Sequence, residues 1–133
     1  MKYLLDTNIC IALICQRSNE LIKELISHKP GDVGISTITI SELVHGAQKS
    51  NQVERNMNAL DQFLLPLEVA DFDQNAAVVY GRVRAYLENE GTVIGSMDTL
   101  IASHALSLGV TLVTNNVREF ERVPNLKYED WMA

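Results

Sequence analysis

Cysteine, glycine-rich loops and net positive charge are what this sequence has least of. Its 133 residues include two cysteines, Cys10 and Cys15. They stand five apart in an apolar stretch, without CxxC spacing or a histidine close by in sequence to complete a zinc site, so two buried free thiols are expected. Neither a GxGxxG nor a GxxxxGK motif occurs. Nothing therefore pre-forms a glycine-rich phosphate cradle, which disfavours a nucleotide-binding module. No apolar run reaches transmembrane length, and the chain opens on strand-like Tyr3-Leu4-Leu5 instead of a basic segment followed by an apolar one. A cytoplasmic protein is the expectation.

Lys and Arg number 11 against 17 Asp and Glu, a formal charge of −6. That balance argues against broad electrostatic binding to nucleic acid, which usually needs a net basic surface. It does not exclude nucleic acid. An acidic pocket would contribute much of the negative charge, bound divalent cations would reverse it locally, and Lys49, Arg55, Arg82, Arg84, Arg118 and Arg122 remain for basic rims.

With 47% hydrophobic residues the chain is long enough for one core and short for two, and no repeat, low-complexity tract or Ser/Gly linker divides it. One domain over residues 1–133 is expected. Short apolar bursts at Tyr3 to Leu5, Val33 to Ile35, Leu67 to Val69 and Val110 to Val113 read as strands, with a last edge strand near Leu126 to Tyr128. Amphipathic stretches between them predict helices at Thr7 to Cys15, Asn19 to Ser27, Thr37 to Lys49, Val53 to Leu64, Asp73 to Glu90 and Ser96 to Leu108. Pro30-Gly31-Asp32 marks a turn before the second strand, and Gly109 marks a left-handed helix end. This alternation predicts a three-layer α/β/α fold with a short, mainly parallel sheet.

Three separated segments each place a carboxylate where an apolar element begins or ends: Leu4-Leu5-Asp6-Thr7-Asn8, Ser41-Glu42-Leu43 and Met97-Asp98-Thr99-Leu100-Ile101-Ala102. A carboxylate bordering a core is costly unless it is hydrogen-bonded, paired or ligating a metal. Asp6 would stand at the carboxyl edge of the first strand, where open parallel sheets place ligands, although helix capping competes for it. Asp98 heads a helical stripe of Ile101, Ala102 and Ala105, so its face points inward. Glu42 alone on its helix would be an ordinary solvated residue; only its company makes it notable. After the final inner strand, Thr114-Asn115-Asn116-Val117-Arg118-Glu119-Phe120 would loop along the same edge, where Thr114, Asn116 and Glu119 can add oxygen ligands or orient a water.

With these pieces together, the chain resembles the PIN-domain ribonucleases, specifically the VapC toxins of bacterial VapBC type II toxin-antitoxin pairs. The resemblance runs through Leu4-Leu5-Asp6-Thr7-Asn8, Ser41-Glu42-Leu43 with Gly46, Asp98-Thr99-Leu100-Ile101-Ala102, and Thr114-Asn115-Asn116 with Glu119-Phe120. It implies a catalytic set of Asp6, Glu42, Asp98 and Glu119, holding Mg2+ or Mn2+ with help from Asn116, and supported by Thr7, Asn8 and Thr114. Many relatives carry Asp in one or both polar slots of the last loop, where this chain has Asn116 and Glu119. It also implies hydrolysis of RNA, with transfer RNA and its anticodon loop the expected substrate, leaving 5′-phosphate and 3′-hydroxyl ends. A homodimer, a VapB-like antitoxin and contact with operator DNA only through that antitoxin complete the expectation.

The chemistry suits the residue types, since hard divalent cations prefer oxygen donors and keep waters that a phosphate can replace. A haloacid-dehalogenase-type phosphatase also begins with an Asp after strand one, but needs a second Asp where this chain has Asn8, and so lacks its proton shuttle. A catalytically silent binding domain is the non-enzyme alternative. His28, His45 and His104 share no ligand spacing, and Arg82 and Arg84 read as surface charge before phosphate contacts. The stripes Leu21, Ile22, Leu25, Ile26 and Val78, Val79, Val83, Leu87 read as core or dimer surface. Trp131 could dock on the body of the protein.

Overall fold

The computed structural model describes residues 1–132. Its elements are β1 (Tyr3–Leu5), α1 (Thr7–Ile14), α2 (Asn19–Ile26), β2 (Val33–Ser36), α3 (Thr37–Gln48), α4 (Val53–Leu64), β3 (Glu68–Ala70), α5 (Gln74–Glu90), α6 (Ser96–Leu108), β4 (Thr111–Val113), α7 (Val117–Phe120) and β5 (Tyr128–Glu129). The five strands form one sheet in the order β3-β2-β1-β4-β5. Every pairing is parallel.

Successive side chains of a strand face opposite sides, and the two cores follow that rule. Leu5, Ile35 and Val113 pack with Ile9, Leu13, Leu21, Leu43 and Leu60 of α1 to α4. Leu4 and Leu112 pack on the other side with Val83, Leu87, Ile101, Ala105 and Phe120 of α5 to α7. The inner strands are thus apolar on both faces, as a covered parallel sheet requires. At Gly34 a Cβ would come within 2.8 Å of the Glu68 carbonyl, so only glycine lets β2 and β3 approach this closely. Gly109 ends α6 at φ 67°, the left-handed cap expected from its position.

Several local readings shift. The sheet is wholly parallel; β3 and β5 begin one and two residues later than predicted, and α5 starts at Gln74 because Asp73 is its cap, accepting from Ala76 N–H at 3.0 Å. The segment read as a loop after β4 contains the short helix α7. Cys10 is buried as expected, but Cys15 is exposed, because it caps the end of α1, where the chain leaves the core. Ile26 and Val78 are also exposed, while Leu21, Val83 and Leu87 are core. Trp131 does dock, stacking on His28 at 5.0 Å with Tyr3 edge-on at 5.1 Å.

Candidate active site

The order β3-β2-β1-β4-β5 reverses direction at β1, with β2 on one side and β4 on the other. Chains leaving β1 and β4 therefore diverge to opposite faces and open a crevice at the carboxyl edge. Asp6 and Thr114 stand in that crevice, at the ends of the two paired strands; Asp6 N–H donates to Val113 O at 3.0 Å.

Asp6 is 3% exposed and caps α1, its Oδ1 accepting from Ile9 N–H at 2.9 Å. The two roles weighed for it are compatible, since the cap engages one oxygen and leaves the other. Burial raises its pKa, opposed by hydrogen bonds from Thr114 and Ile9 and reinforced by the charges of Glu42 and Asp130. Glu42, on the second turn of α3, accepts from Thr7 Oγ1 at 2.6 Å, which draws it back towards α1 and away from the solvated alternative. Asp98 lies in the first turn of α6 above the buried Ile101, Ala102 and Ala105. Its carboxyl is pushed up to about 7, by burial first, then by a hydrogen bond shared with Glu119 and by the charges of Glu119, Asp6 and Glu42. Glu119 is held below its ordinary value, chiefly by that same hydrogen bond. Asn116 Nδ2 donates to Glu119 Oε2 at 3.2 Å, and Thr114 Oγ1 accepts from Asn116 N–H at 2.9 Å.

The structure therefore brings together Asp6, Glu42, Asp98 and Glu119, with Thr7, Thr114 and Asn116 bonded to them or to the loop that bears them. Asn8 is exposed and makes no side-chain hydrogen bond to the cluster. Among the described residues no three acidic, His or Cys side chains stand in ready ligating geometry. The carboxylates accept from Ile9 N–H, Thr7 Oγ1 and Asn116 Nδ2, and their like charges repel one another. The donor set nevertheless suits a hard divalent ion: every donor is an oxygen, and the mutual repulsion registered at Asp98 is what such an ion would relieve. His104, which sequence reasoning set aside as lacking ligand spacing, stands on the helix that carries Asp98. It is fully buried, and its Nδ1 lies 2.8 Å from Ser36 Oγ at the start of α3, a partnership across 68 residues that no spacing rule signals.

Fold and site thus define an acidic, oxygen-donor pocket at the switch point of a parallel α/β sheet. Residues 3–126 match the family described as PIN domain. The chain is 45% identical over 131 residues to a tRNA(fMet)-specific endonuclease VapC of Salmonella typhimurium, and 44% identical over 132 residues to a ribonuclease VapC2 of Rickettsia felis, covering 98% of both chains in each case. It superposes on the toxin of a DNA-bound VapBC complex from Salmonella typhimurium with TM-score 0.93 at 44% identity, over 98% of each chain. On VapBC2 from Rickettsia felis bound to a promoter DNA fragment, the TM-score is 0.91 at 41% identity, over 98% of this chain and 99% of that one. The chain belongs to the PIN-domain family, and within it to the VapC ribonucleases.

Proposed function

We propose that this chain is the toxin of a type II toxin-antitoxin pair, a single cytoplasmic PIN domain that hydrolyses RNA phosphodiesters with Mg2+ or Mn2+. The observation that carries this reading is the convergence of four carboxylates, from the end of β1 and from α3, α6 and α7, whose charges add to burial in raising the Asp98 carboxyl to about 7. Asp6, Glu42, Asp98 and Glu119, with Asn116, would hold the ion. When bound it would offset their charge and supply Lewis acidity at the scissile phosphate.

The chain's own residues prepare that site. Ile9 N–H and Thr114 orient Asp6, Thr7 aims Glu42, and Asn116 fixes Glu119. Burial and the closeness of Glu119 raise the Asp98 pKa, the same pairing lowers that of Glu119, and a bound ion would favour the ionised form of both. An acidic pocket of this kind needs no side-chain nucleophile, and water is the proposed attacking group.

Transfer RNA is the proposed substrate, cut in the anticodon loop, since a relative at 45% identity carries the name of a tRNA(fMet)-specific endonuclease. A VapB-like antitoxin is the proposed partner, and the VapBC complexes among the structural neighbours support it. Ile11, Ile14, Leu43, Ala59 and Leu60 line an apolar cleft of about 270 Å³ that reaches Glu42, where an antitoxin segment would reach the pocket. A homodimeric toxin, touching operator DNA only through its antitoxin, completes the reading.

The decisive experiment incubates purified total transfer RNA with the protein in Mg2+ or Mn2+, with chelator, and with a folded Asp98→Asn variant. Discrete fragments that vanish in both controls are expected. Cleavage that survives chelator or the variant would refute the assigned pocket.

A further inference from the structure

His104 is a fully buried, titratable residue of α6 that the chemistry above does not use. Its Nδ1 meets Ser36 Oγ at 2.8 Å, while Nε2 makes no hydrogen bond of good geometry, although the Asp71 backbone stands close enough to favour a proton on the ring. An unpartnered buried nitrogen is costly, and an aliphatic side chain would fill the space without that cost. Space-filling alone does not account for an imidazole here.

Ser36 shows what the ring holds. It ends β2 and caps α3, its Oγ accepting from Ile38 N–H at 3.0 Å. The Ser36 oxygen has one hydrogen to give, and with that hydrogen directed to His104 Nδ1 the ring proton stands on Nε2. Phe72 packs edge-on against the ring at 5.3 Å, and its own N–H donates to Thr37 Oγ1 at 3.1 Å, closing the junction from the β3 side. Burial holds the ring below the ordinary histidine range, with Asp73 and Asp71 opposing, so the neutral form agrees with the geometry. Among the described residues no other hydrogen bond joins α3 or its cap to α6. Those two helices carry Glu42 and Asp98.

We propose that His104, as the neutral Nε2–H tautomer, is a positioning residue of the acidic site. By accepting the Ser36 hydroxyl it locks the start of α3 onto α6 and sets the separation of Glu42 from Asp98. The purpose assigned to that separation rests on the nuclease reading; the hydrogen bond does not.

Two measurements on the full chain test it. Imidazole 15N NMR at pH 7 without metal should show His104 neutral with the proton on Nε2; a charged ring or an Nδ1–H tautomer overturns the proposal. His104→Asn keeps an acceptor near the Nδ1 position, whereas His104→Gln moves its amide to the reach of Nε2. The Asn variant should bind Mn2+ like the parent chain, read as thermal stabilisation against Mn2+ concentration. The Gln variant should need roughly 10- to 100-fold more Mn2+ and lose kcat with KM for RNA unchanged. Equal behaviour of the two variants overturns the proposal. Should neither fold, Ser36→Thr against Ser36→Ala carries the same comparison from the other partner. A parent chain that cuts no RNA, yet shows the Asn/Gln contrast in Mn2+ binding, would remove the nuclease reading and leave this positioning role standing.

Discussion

Thr7 Oγ1 donates a hydrogen bond to Glu42 Oε1 at 2.6 Å, joining the first turn of α1 to α3 across 35 residues of chain. A helix-borne glutamate has three rotatable bonds, and this contact holds it facing the crevice without taking its second oxygen. Thr7→Val should therefore raise the Mn2+ needed for half-maximal cleavage by roughly 10-fold or more, while Thr7→Ser stays near the parent chain. A metal titration of both variants checks this, and an unchanged Val variant would show that Glu42 needs no such support.

The contribution of Asp98 to stability without metal should fall as pH rises towards neutrality. The Asp98 carboxyl is pushed up from 3.8 to about 7 in the fold. Between those values the folded chain keeps a proton that the unfolded chain releases, so this contribution is full below 3.8 and is lost as pH rises through about 7. The gap in Tm between Asp98→Asn and the parent chain, measured in chelator, should widen in favour of the variant from pH 5 to pH 8. Saturating Mn2+ should reverse the order at pH 8. A gap that does not move with pH would contradict the shift.

Phe120 is fully buried beneath α7, directly after Glu119. Phe120→Ala should cost about 3–5 kcal/mol in denaturant unfolding and reduce cleavage beyond the loss of folded protein, since the short helix holding Glu119 loses its anchor. Phe120→Leu should recover most of both. Unfolding curves and activity per folded molecule separate the two effects.

Cys10 is buried, its thiol pushed well up by burial and by the nearby Asp6, whereas Cys15 is exposed. A thiol reagent should modify one cysteine per native chain rapidly and the second only on unfolding. Cys15→Ser should abolish the rapid phase; a fast phase that persists would place Cys10 within reach of solvent.

Much of the site was legible because its residues sit at local boundaries. Asp6 follows an apolar burst, Asp98 heads an inward helical stripe, and Gly109 stops that helix, so each is announced by its immediate neighbours. Glu42 read alone as an ordinary solvated helix residue and became notable only in the company of Asp6 and Asp98. Helix α7 is four residues long, too short for periodicity to reveal, and so Glu119 was read as part of a loop. Cys15 looked buried from its apolar surroundings, yet it caps α1 at the point where the chain turns away from the core.

The sequence by itself determined the alternation of strand and helix, the apolar faces that make the sheet a middle layer, and the boundary positions of Asp6 and Asp98. These follow from backbone periodicity and side-chain polarity over a few residues, which act wherever the segment lies. Tertiary structure alone decided which partners the polar atoms found: Thr7 with Glu42, Asp98 with Glu119, His104 with Ser36. Such pairings depend on strand order, since β1 must lie between β2 and β4 before α1, α3, α6 and α7 can share one edge. The long-range geometry that converges four carboxylates is a property of the packed sheet, and no local stretch of chain contains it.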